Sequence, residues 1–375
     1  MTKKKKILFI VNQAKYFISH RLVIAREAQK KGYDVHVAVP FKDEFETLKK
    51  EDVRLHNIHI SRTGLNLFGE IFSMLSIWKI ILLIKPDIVH LISIKSVIYG
   101  GVIARIHKIP SVMAISGLGY LSSSGKDSYI KSIVEFLFGL SLNKINNTVI
   151  LQNKSDRQAL ESIGALKKDQ SILIPGSGVN IFKYKATPIP SDTPLILMPS
   201  RMLWDKGVGV FVEAAKIIKS KNISVRFVLA GPYDPENPSS IPLKVLNDWN
   251  NEKIIEWWGD RKDMPYVYQQ SHLVVFPSHY GEGVPKVLLE AASSARPIIT
   301  SDTAGCSDII EDQVNGLLVP PRDPEALVYS ILDLLENRYK MNEMAKNNRK
   351  KAEEMFDEKF VLDKHFSVYE ELRNQ

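Results

Sequence analysis

Two glutamates, Glu282 and Glu290, stand eight positions apart in the run P-S-H-Y-G-E-G-V-P-K-V-L-L-E-A-A. Directly before this run, the four apolar residues 273–276 predict a short buried strand. The two glycines let the backbone approach a ligand closely, and Pro285 suits the first turn of a helix. The run therefore predicts a strand, a glycine-containing loop and a helix, with Glu282 in the loop and Glu290 more than one turn into the helix.

This arrangement suits a ligand that is anionic in the middle and carries hydroxyl groups at both ends. The N–H groups at the start of the helix attract an anion such as phosphate. The two carboxylates would accept hydrogen bonds from hydroxyls on either side, and a nucleotide sugar has that layout. The alternative is a chance spacing of two surface glutamates. The preceding strand, the glycines and the small residues Ala291 and Ala292 favour the ligand.

Two cations, Arg201 and Lys206, stand five positions apart in the run S-R-M-L-W-D-K-G after a predicted strand at 195–198. Loops that follow the strands of a parallel sheet are where such sheets bind ligands. Arg201 offers a planar fork and Lys206 a mobile point charge, so together they could neutralise a diphosphate leaving group. Taken alone, they could equally be two ordinary cations of a surface loop.

Two further strand ends carry glycine. Gly231 lies in A-G-P, and Gly259 begins the segment G-D-R that ends with Arg261. The backbone at Gly231 can approach a ligand, and the backbone from Gly259 to Arg261 could meet a flat base, although a plain turn explains each residue there equally well. Both turns are candidates for the same ligand site.

The elements that must position these residues alternate between strand-like and helix-like segments throughout the chain. Its 375 residues suggest two domains. The alternation predicts two Rossmann-like, doubly wound parallel sheets, an α/β fold. Residues 1–187 form the predicted N-terminal domain and residues 188–355 the C-terminal domain, beginning at a proline-rich linker. The helical segment 356–375 is expected to pack back on the N-terminal domain.

Composition narrows the class of protein. Hydrophobic residues make up 45% and charged residues 25%, as in globular proteins, and the single Cys306 excludes an intramolecular disulfide. Residues 1–180 hold 26 Lys and Arg against 14 Asp and Glu, so the basic excess lies in the first half. Nucleic acid or an anionic membrane could attract such a face, but no nucleic-acid-binding motif occurs. The apolar segment Ile71–Ile84 is too short to span a bilayer and predicts an amphipathic helix, in the core or on a membrane surface.

The ordered set R-M-L-W-D-K-G, A-G-P, W-W-G-D-R-K-D-M, the two-glutamate run and D-Q-V-N-G-L-L-V-P-P-R-D-P-E-A-L resembles the C-terminal half of retaining glycosyltransferases of family 4, which have the GT-B fold. The first half resembles bacterial enzymes that add N-acetylhexosamine to sugars on undecaprenyl diphosphate. The runs F-I-S-H-R-L, G-Y-D-V-H-V-A-V-P, P-D-I-V-H and I-S-G-L-G-Y carry that match. The resemblance implies two domains facing a central cleft.

The resemblance also implies roles for residues. Glu282, Arg201 and Lys206 would be catalytic: Glu282 would contact the donor sugar, and the two cations would grip the diphosphate. Glu290 would hold the ribose. No catalytic histidine is carried over, because the run around Ser116 lacks one. The other implied donor-binding residues are Gly283, Val284, Pro285, Gly231, Gly259, Arg261, Ser116 and Gly117. The candidate acceptor-binding residues are Lys15, Tyr16, His20 and His90, although a packed structural role is favoured for each of the two histidines.

The implied activity is the retaining transfer of N-acetylgalactosamine or another N-acetylhexosamine from a UDP-sugar to an undecaprenyl-diphosphate-linked acceptor, in the assembly of an O-antigen-like surface polysaccharide. No metal or other cofactor is expected, and no nucleic acid partner. The protein is expected in the cytoplasm, peripheral on the inner face of the bacterial plasma membrane, with Ile71–Ile84 and Ile130–Leu142 touching lipid. The alternatives are a nucleotide-sugar epimerase or hydrolase of the same fold, and a non-catalytic nucleotide-sugar-binding protein.

Overall fold

A computed structural model of the chain describes residues 4–41, 45–60, 67–118, 129–143 and 146–374. The expectations that involved Gly119, Tyr120 and Gln375 lie outside these residues. The chain divides into two compact units, the first reaching Ser177 and resuming at Val361, the second being Gly178–Phe360. The C-terminal helix thus belongs mostly to the first unit, and the divisions fall at 177 and 360 where the sequence suggested 187 and 355.

The first unit is built on a seven-stranded sheet in the order β3-β2-β1-β4-β5-β6-β7, with all neighbouring strands parallel. The central strands are largely apolar and buried because helices cover both faces of such a sheet. The strands are β1 (Lys6–Val11), β2 (Asp34–Val39), β3 (Arg54–Asn57), β4 (Ile88–Ile92), β5 (Ser111–Ile115), β6 (Asn147–Leu151) and β7 (Ser171–Leu173).

The helices of the first unit fall between these strands. α4, α5 and α6 share one apolar core cluster with the sheet, to which α4 contributes Ile77, Ile80, Ile81 and Ile84. The helices are α1 (Ala14–His20), α2 (Leu22–Lys30), α3 (Phe45–Leu48), α4 (Leu67–Ile84), α5 (Ile94–Ile106), α6 (Tyr129–Leu142) and α7 (Lys154–Ser162), with α14 (Glu358–Asn374) at the end of the chain.

The second unit has a six-stranded sheet in the order β10-β9-β8-β11-β12-β13, again parallel throughout. Its strands are β8 (Leu195–Pro199), β9 (Arg226–Ala230), β10 (Glu256–Trp257), β11 (Leu273–Phe276), β12 (Ile298–Ser301) and β13 (Gly316–Val319). Its helices are α8 (Val208–Ser220), α9 (Leu243–Asn251), α10 (Met264–Gln270), α11 (Lys286–Ser293), α12 (Pro324–Glu336) and α13 (Arg338–Lys351).

The predicted α/β fold of two doubly wound parallel sheets is confirmed. In each sheet, the direction in which successive strands are added reverses at one place, which we call the reversal point. It lies between β1 and β4 in the first unit and between β8 and β11 in the second. Ligands of doubly wound sheets bind at the carboxyl ends of the strands beside such a reversal. These two points are therefore where functional side chains are expected.

The pattern did not predict β3 and β7, which are the edge strands of the first sheet. β3 is Arg-Leu-His-Asn, and none of its side chains is fully buried. An edge strand of this kind lacks the apolar run by which a buried strand is found. In the described parts of the chain, no helix combines the length and the apolar character needed to cross a membrane.

Candidate active site

The reversal point of the second unit brings Lys206 and Glu282 together. Lys206 ends a 3-10 turn, Trp204–Lys206, that follows β8, and Glu282 lies in the loop after β11. The Lys206 ammonium forms a salt bridge with the Glu282 carboxylate, and the side chains are only 16% and 15% exposed. A cation and a carboxylate predicted from separate motifs thus form one half-buried pair at the carboxyl edge of the sheet.

Two glycines permit this close approach of loops. Gly207 has a φ of +80°, and a Cβ atom there would overlap the carbonyl oxygen of Pro277. Gly305 has a φ of +83°, and a Cβ atom there would overlap the carbonyl oxygens of Glu282 and Gly283. Only glycine meets both the backbone conformation and the spacing at these positions.

Ser278 ties the two loops to each other. Its hydroxyl donates to Glu282 Oε1 at 2.7 Å and lies 3.2 Å from the carbonyl oxygen of Asp205, which precedes Lys206. Ser278 was not among the predicted site residues. A hydroxyl residue two positions after a buried strand at the reversal point was the signal that could have identified it.

Arg201 lies in the loop after β8 and pairs with Asp234, which follows β9. Arg201 Nη1 and Asp234 Oδ2 are 2.6 Å apart, with Arg201 40% exposed and Asp234 17% exposed. Asp234 was not among the predicted site residues. The carboxyl ends of adjacent strands bring it to the guanidinium, so both predicted cations contact carboxylates at the same edge of the sheet.

Glu290 lies inside α11 and is 8% exposed. The Tyr268 hydroxyl is 3.2 Å from Glu290 Oε2 and 2.9 Å from the Val287 carbonyl oxygen, and the Tyr184 hydroxyl also hydrogen bonds to Glu290. Burial raises the pKa of the Glu290 carboxyl, while Lys286 and the tyrosine hydroxyls act in the opposite direction. Neither tyrosine was foreseen, since Tyr184 lies in the segment before β8 and Tyr268 on α10.

The remaining predicted residues of the second unit also lie near this edge. The Gly231 amide donates to the Gly259 carbonyl at 2.8 Å, and a Cβ atom on Gly231 would overlap the Ser200 carbonyl oxygen. Arg261 pairs with Asp263 at 2.6 Å. Its guanidinium lies 5.5 Å from the centre of the Trp258 ring. Gly283, Val284 and Pro285 are buried, and Pro285 is the N-cap residue directly before α11.

In the first unit, the candidate residues follow the strands β1 and β5. Lys15 is exposed, and Tyr16 stacks on His20 with ring centres 4.3 Å apart. His20 Nδ1 is 2.6 Å from the Ser19 hydroxyl. Ser116 and Gly117 follow β5 and are half-buried, with Gly117 at a φ of +115°. These residues lie at the carboxyl edge of their own sheet, where the sequence placed them.

The structure corrects the acceptor assignment of His90. This side chain in β4 has no exposed surface, and its Nδ1 is 2.6 Å from the Tyr369 hydroxyl of α14. Burial, with His365 and Arg21 nearby, holds the pKa of His90 well below its ordinary value. His90 therefore packs the C-terminal helix against the first sheet, and a substrate has no surface of this residue to contact.

Neither a cysteine nucleophile nor a cluster of metal-ligating side chains accompanies these groups in the described parts of the chain. Cys306 is buried and close to Glu282, and burial raises the pKa of its thiol to about 12, so it is held as the unreactive thiol. In the parts of the chain that the structure describes, no group of three or more His, Cys, Asp or Glu side chains has the arrangement of a metal site. The chemical groups assembled at the second reversal point are cations, carboxylates and hydroxyls.

Comparison with known proteins agrees with this geometry. A family model for glycosyl transferases group 1 matches residues 180–351, and one for glycosyl transferase 4-like proteins matches residues 6–153. The chain is 29% identical to the N,N'-diacetylbacillosaminyl-diphospho-undecaprenol alpha-1,3-N-acetylgalactosaminyltransferase of Campylobacter jejuni, over 94% of this chain and 97% of that protein. It is 25% identical to the UDP-Gal:alpha-D-GlcNAc-diphosphoundecaprenol alpha-1,3-galactosyltransferase of Escherichia coli, over 82% and 81%.

Solved structures agree on the fold. HepE of Anabaena in complex with UDP superposes with a TM-score of 0.80 at 19% identity, covering 98% of this chain and all of that one (100%). A glycosyltransferase from Rickettsia africae superposes with a TM-score of 0.79 at 20% identity, covering 99% of both chains. Two family models match separate parts of the chain, and the chain has the GT-B architecture. This protein is therefore a glycosyltransferase, with a first unit similar to glycosyl transferase 4-like proteins and a second unit similar to glycosyl transferases group 1.

Proposed function

We propose that the protein transfers an N-acetylhexosamine, with N-acetylgalactosamine the first candidate, from a UDP-sugar to a sugar on undecaprenyl diphosphate, with retention at the anomeric carbon. The observation that carries this proposal is the Lys206–Glu282 pair at the reversal point of the second unit. The name of the Campylobacter relative supports the choice of sugar and of acceptor class. Both relatives act on lipid-diphosphate-linked sugars by name, which supports a role of this protein in surface glycan assembly.

The donor has a place for each of its parts. Glu282 accepts hydrogen bonds from hydroxyls of the transferred sugar, and Ser278 fixes the carboxylate at 2.7 Å. Lys206 and Arg201 face the diphosphate, since both lie in the loop that follows β8. Glu290, held by two tyrosine hydroxyls, accepts from the ribose. The backbone from Gly259 to Arg261 meets the base.

The reaction breaks the bond between the anomeric carbon and the diphosphate oxygen. A new bond forms from the acceptor hydroxyl oxygen to the same face of that carbon, and the acceptor proton passes to the departing phosphate oxygen. The two cations stabilise the charge that develops on the leaving group. Electrostatic stabilisation of this kind is the largest contribution to many enzymatic rate enhancements. This route requires no protein nucleophile and no metal ion.

The first unit offers a surface for peripheral membrane binding. Along α4 the side chains at 68, 71, 72, 75, 82 and 83 form one outward stripe of Phe, Ile and Leu that is at least half exposed. Phe68 is 82% and Leu83 69% exposed, and Phe136 on α6 is 70% exposed. Together with the basic first half of the chain, this stripe suits the anionic cytoplasmic leaflet of the plasma membrane.

The activity test incubates the protein with UDP-N-acetylgalactosamine and an undecaprenyl-diphosphate-linked N-acetylated sugar, and follows the product by mass spectrometry and its anomeric configuration by NMR. We expect a lipid-linked product with the α configuration of the donor. Free N-acetylgalactosamine formed at the same rate without acceptor would identify a hydrolase instead. Epimerised UDP-sugar without transfer would identify an epimerase, and tight UDP binding without turnover would indicate a binding protein.

The membrane test compares co-sedimentation with anionic vesicles at low and high salt. The double variant Phe68→Ser and Phe72→Ser should lose most of the binding, because it removes the most exposed end of the stripe. The matched control replaces Tyr329 and Tyr339, which are 76% and 77% exposed in the second unit, with serine and should bind like the wild type. Equal binding by both variants would contradict the placement of the membrane surface.

A further inference from the structure

The reversal point of the first unit has the same construction as that of the second. Its two flanking strands, β1 and β4, lead respectively into the loop before α1 and into α5. Lys95 lies in the first turn of α5, directly after β4, as Glu282 lies after β11. The rule that places ligands at the second reversal point therefore applies equally to the residues around Lys95.

A cluster of three polar side chains occupies this point. Lys95 Nζ is 2.5 Å from Glu70 Oε1, and the Tyr99 hydroxyl is 2.5 Å from Glu70 Oε2. Lys95 is 17% and Glu70 14% exposed, so the pair is largely shielded from water but still reaches the surface. Glu70 comes from α4, whereas Lys95 and Tyr99 come from α5, so the cluster joins two helices at the carboxyl edge of the sheet.

The cluster lies where the apolar stripe of α4 begins. Glu70 is in the first turn of α4, and its neighbours in sequence include Phe68, Ile71 and Phe72, which are 82%, 51% and 55% exposed. A charged group that is mostly shielded and an exposed apolar surface therefore meet at one edge of the unit. This combination fits an amphiphile with an anionic head and an apolar chain.

We propose that Lys95, positioned by Glu70 and Tyr99, binds the diphosphate of the lipid-linked acceptor, and that the first part of the lipid chain lies along the exposed face of α4. The ammonium group of a lysine is a mobile point charge of the kind that binds phosphate groups. The start of α5 adds its favourable helix dipole. Glu70 and Tyr99 are positioning residues, since they act on the diphosphate through Lys95.

This placement gives the acceptor a direction. The lipid lies along α4, the diphosphate sits at the end of β4, and the sugar extends past the end of the neighbouring strand β1, where Lys15 and Tyr16 are found. The inference rests on the proposed transferase function for the identity of its ligand. Its binding prediction can nevertheless be measured without any turnover.

The first experiment measures binding in detergent micelles, without donor, of three probes: undecaprenyl diphosphate, undecaprenol and inorganic pyrophosphate. The wild type should bind undecaprenyl diphosphate more tightly than either of the others. Lys95→Met should weaken binding of undecaprenyl diphosphate about ten- to a hundredfold, as for a lost hydrogen bond to a charged group, and should leave undecaprenol unaffected. The matched control is Lys340→Met, which breaks the Lys340–Asp333 pair of the second unit, with side chains 25% and 32% exposed, and should change none of the three affinities.

Tyr99→Phe keeps the charges and removes only the hydroxyl that holds Glu70, and should weaken undecaprenyl diphosphate binding severalfold with an unchanged melting temperature. In turnover assays, Lys95→Met should raise the KM for the lipid-linked acceptor and leave the KM for the UDP-sugar unchanged. Undiminished binding of undecaprenyl diphosphate by a folded Lys95→Met protein would overturn the inference. Pyrophosphate bound as tightly as the lipid, and equally dependent on Lys95, would also overturn it in favour of a free phosphate site. Absence of transfer by a wild type that binds as expected would count against the proposed function alone.

Discussion

Substitutions in the Lys206–Glu282 pair test whether these two side chains serve catalysis or only the stability of the fold. If Lys206 stabilises the leaving diphosphate, the variant Lys206→Met removes a unit charge while nearly preserving side-chain length. For charges about 4 Å apart at an effective dielectric constant of about 20, the interaction is about 4 kcal/mol. A loss of that size in the transition state lowers kcat/KM about a thousandfold.

The same substitution also affects folding, because it leaves the Glu282 carboxylate, only 15% exposed, without this cation. We expect a stability loss of about 1–3 kcal/mol in urea unfolding, the usual cost of removing the partner of a shielded polar group. Glu282→Gln should cost less stability, because the neutral amide has a smaller desolvation penalty. Its loss of kcat/KM should be about ten- to a hundredfold, since an amide oxygen still accepts hydrogen bonds from sugar hydroxyls.

The double variant Lys206→Met and Glu282→Gln decides the question. It should regain most of the stability lost by Lys206→Met, since the shielded carboxylate is neutralised together with its cation, but it should regain none of the activity. The control replaces Glu213 and Lys216, a pair on α8 with 54% and 41% exposed side chains, by glutamine and methionine. Stability should then change by less than about 1 kcal/mol, with activity unchanged. A double variant with wild-type kcat/KM would refute the reasoning, since the pair would then serve folding only.

Three further expectations concern buried groups and glycines. Burial raises the pKa of Glu290 above its unfolded value of 4.5, so the folded state holds this proton more tightly and the contribution of the group to stability falls as pH rises. The melting temperature of Glu290→Gln should therefore gain on that of the wild type as pH rises above 4.5. Burial lowers the pKa of His365 from 6.5 to about 3, so the unfolded state takes up this proton first as pH falls. Below pH 6.5 the free energy of unfolding of the wild type should therefore fall by up to about 1.4 kcal/mol per pH unit because of this residue, and His365→Asn should flatten that slope. Gly305→Ala should displace the Glu282 loop, so its kcat/KM should fall by more than its loss of melting temperature explains. Gly164 has a φ of +69° and open space for a Cβ atom, so Gly164→Ala should lose stability and keep its kcat/KM. Steady-state kinetics and thermal unfolding of both variants check this. An active Gly305→Ala enzyme would contradict the steric argument.

Much of the fold was predictable from local patterns. Central strands such as β1 and β11 are short apolar runs next to helical patterns, and a parallel sheet buried on both faces produces that signal. The edge strand β3 was not predictable, because its half-exposed residues carry no apolar run. The predicted helix Ile71–Ile84 lies within α4, but the pattern left open which of its side chains are exposed. Contacts with α5 and the sheet decided that the Phe68–Leu83 stripe faces outward.

The site was predictable in its residue types and in the loops that carry them. Parallel strands place their carboxyl ends at one edge, so Arg201, Lys206 and Glu282 could be assigned to one region from the sequence. Their partners could not be assigned. Asp234 pairs with Arg201, and Tyr268 contacts Glu290, through strands and helices distant in the chain. Nothing in the local sequence of these partners distinguishes them from other loop aspartates and helix tyrosines.

The sequence by itself determined that this chain forms two parallel α/β sheets and carries the cations, carboxylates and glycines of a nucleotide-sugar site, because strand and helix periodicity and glycine chemistry are local properties. Only the tertiary structure decided that Lys206 pairs with Glu282, that tyrosine hydroxyls hold Glu290, and that His90 is enclosed beneath the C-terminal helix. These outcomes depend on which surfaces are buried against each other, and burial sets both the contacts and the pKa of each group. The two glutamates thus differ in environment: Glu282 contacts a cation in a loop, and Glu290 lies buried among hydroxyls.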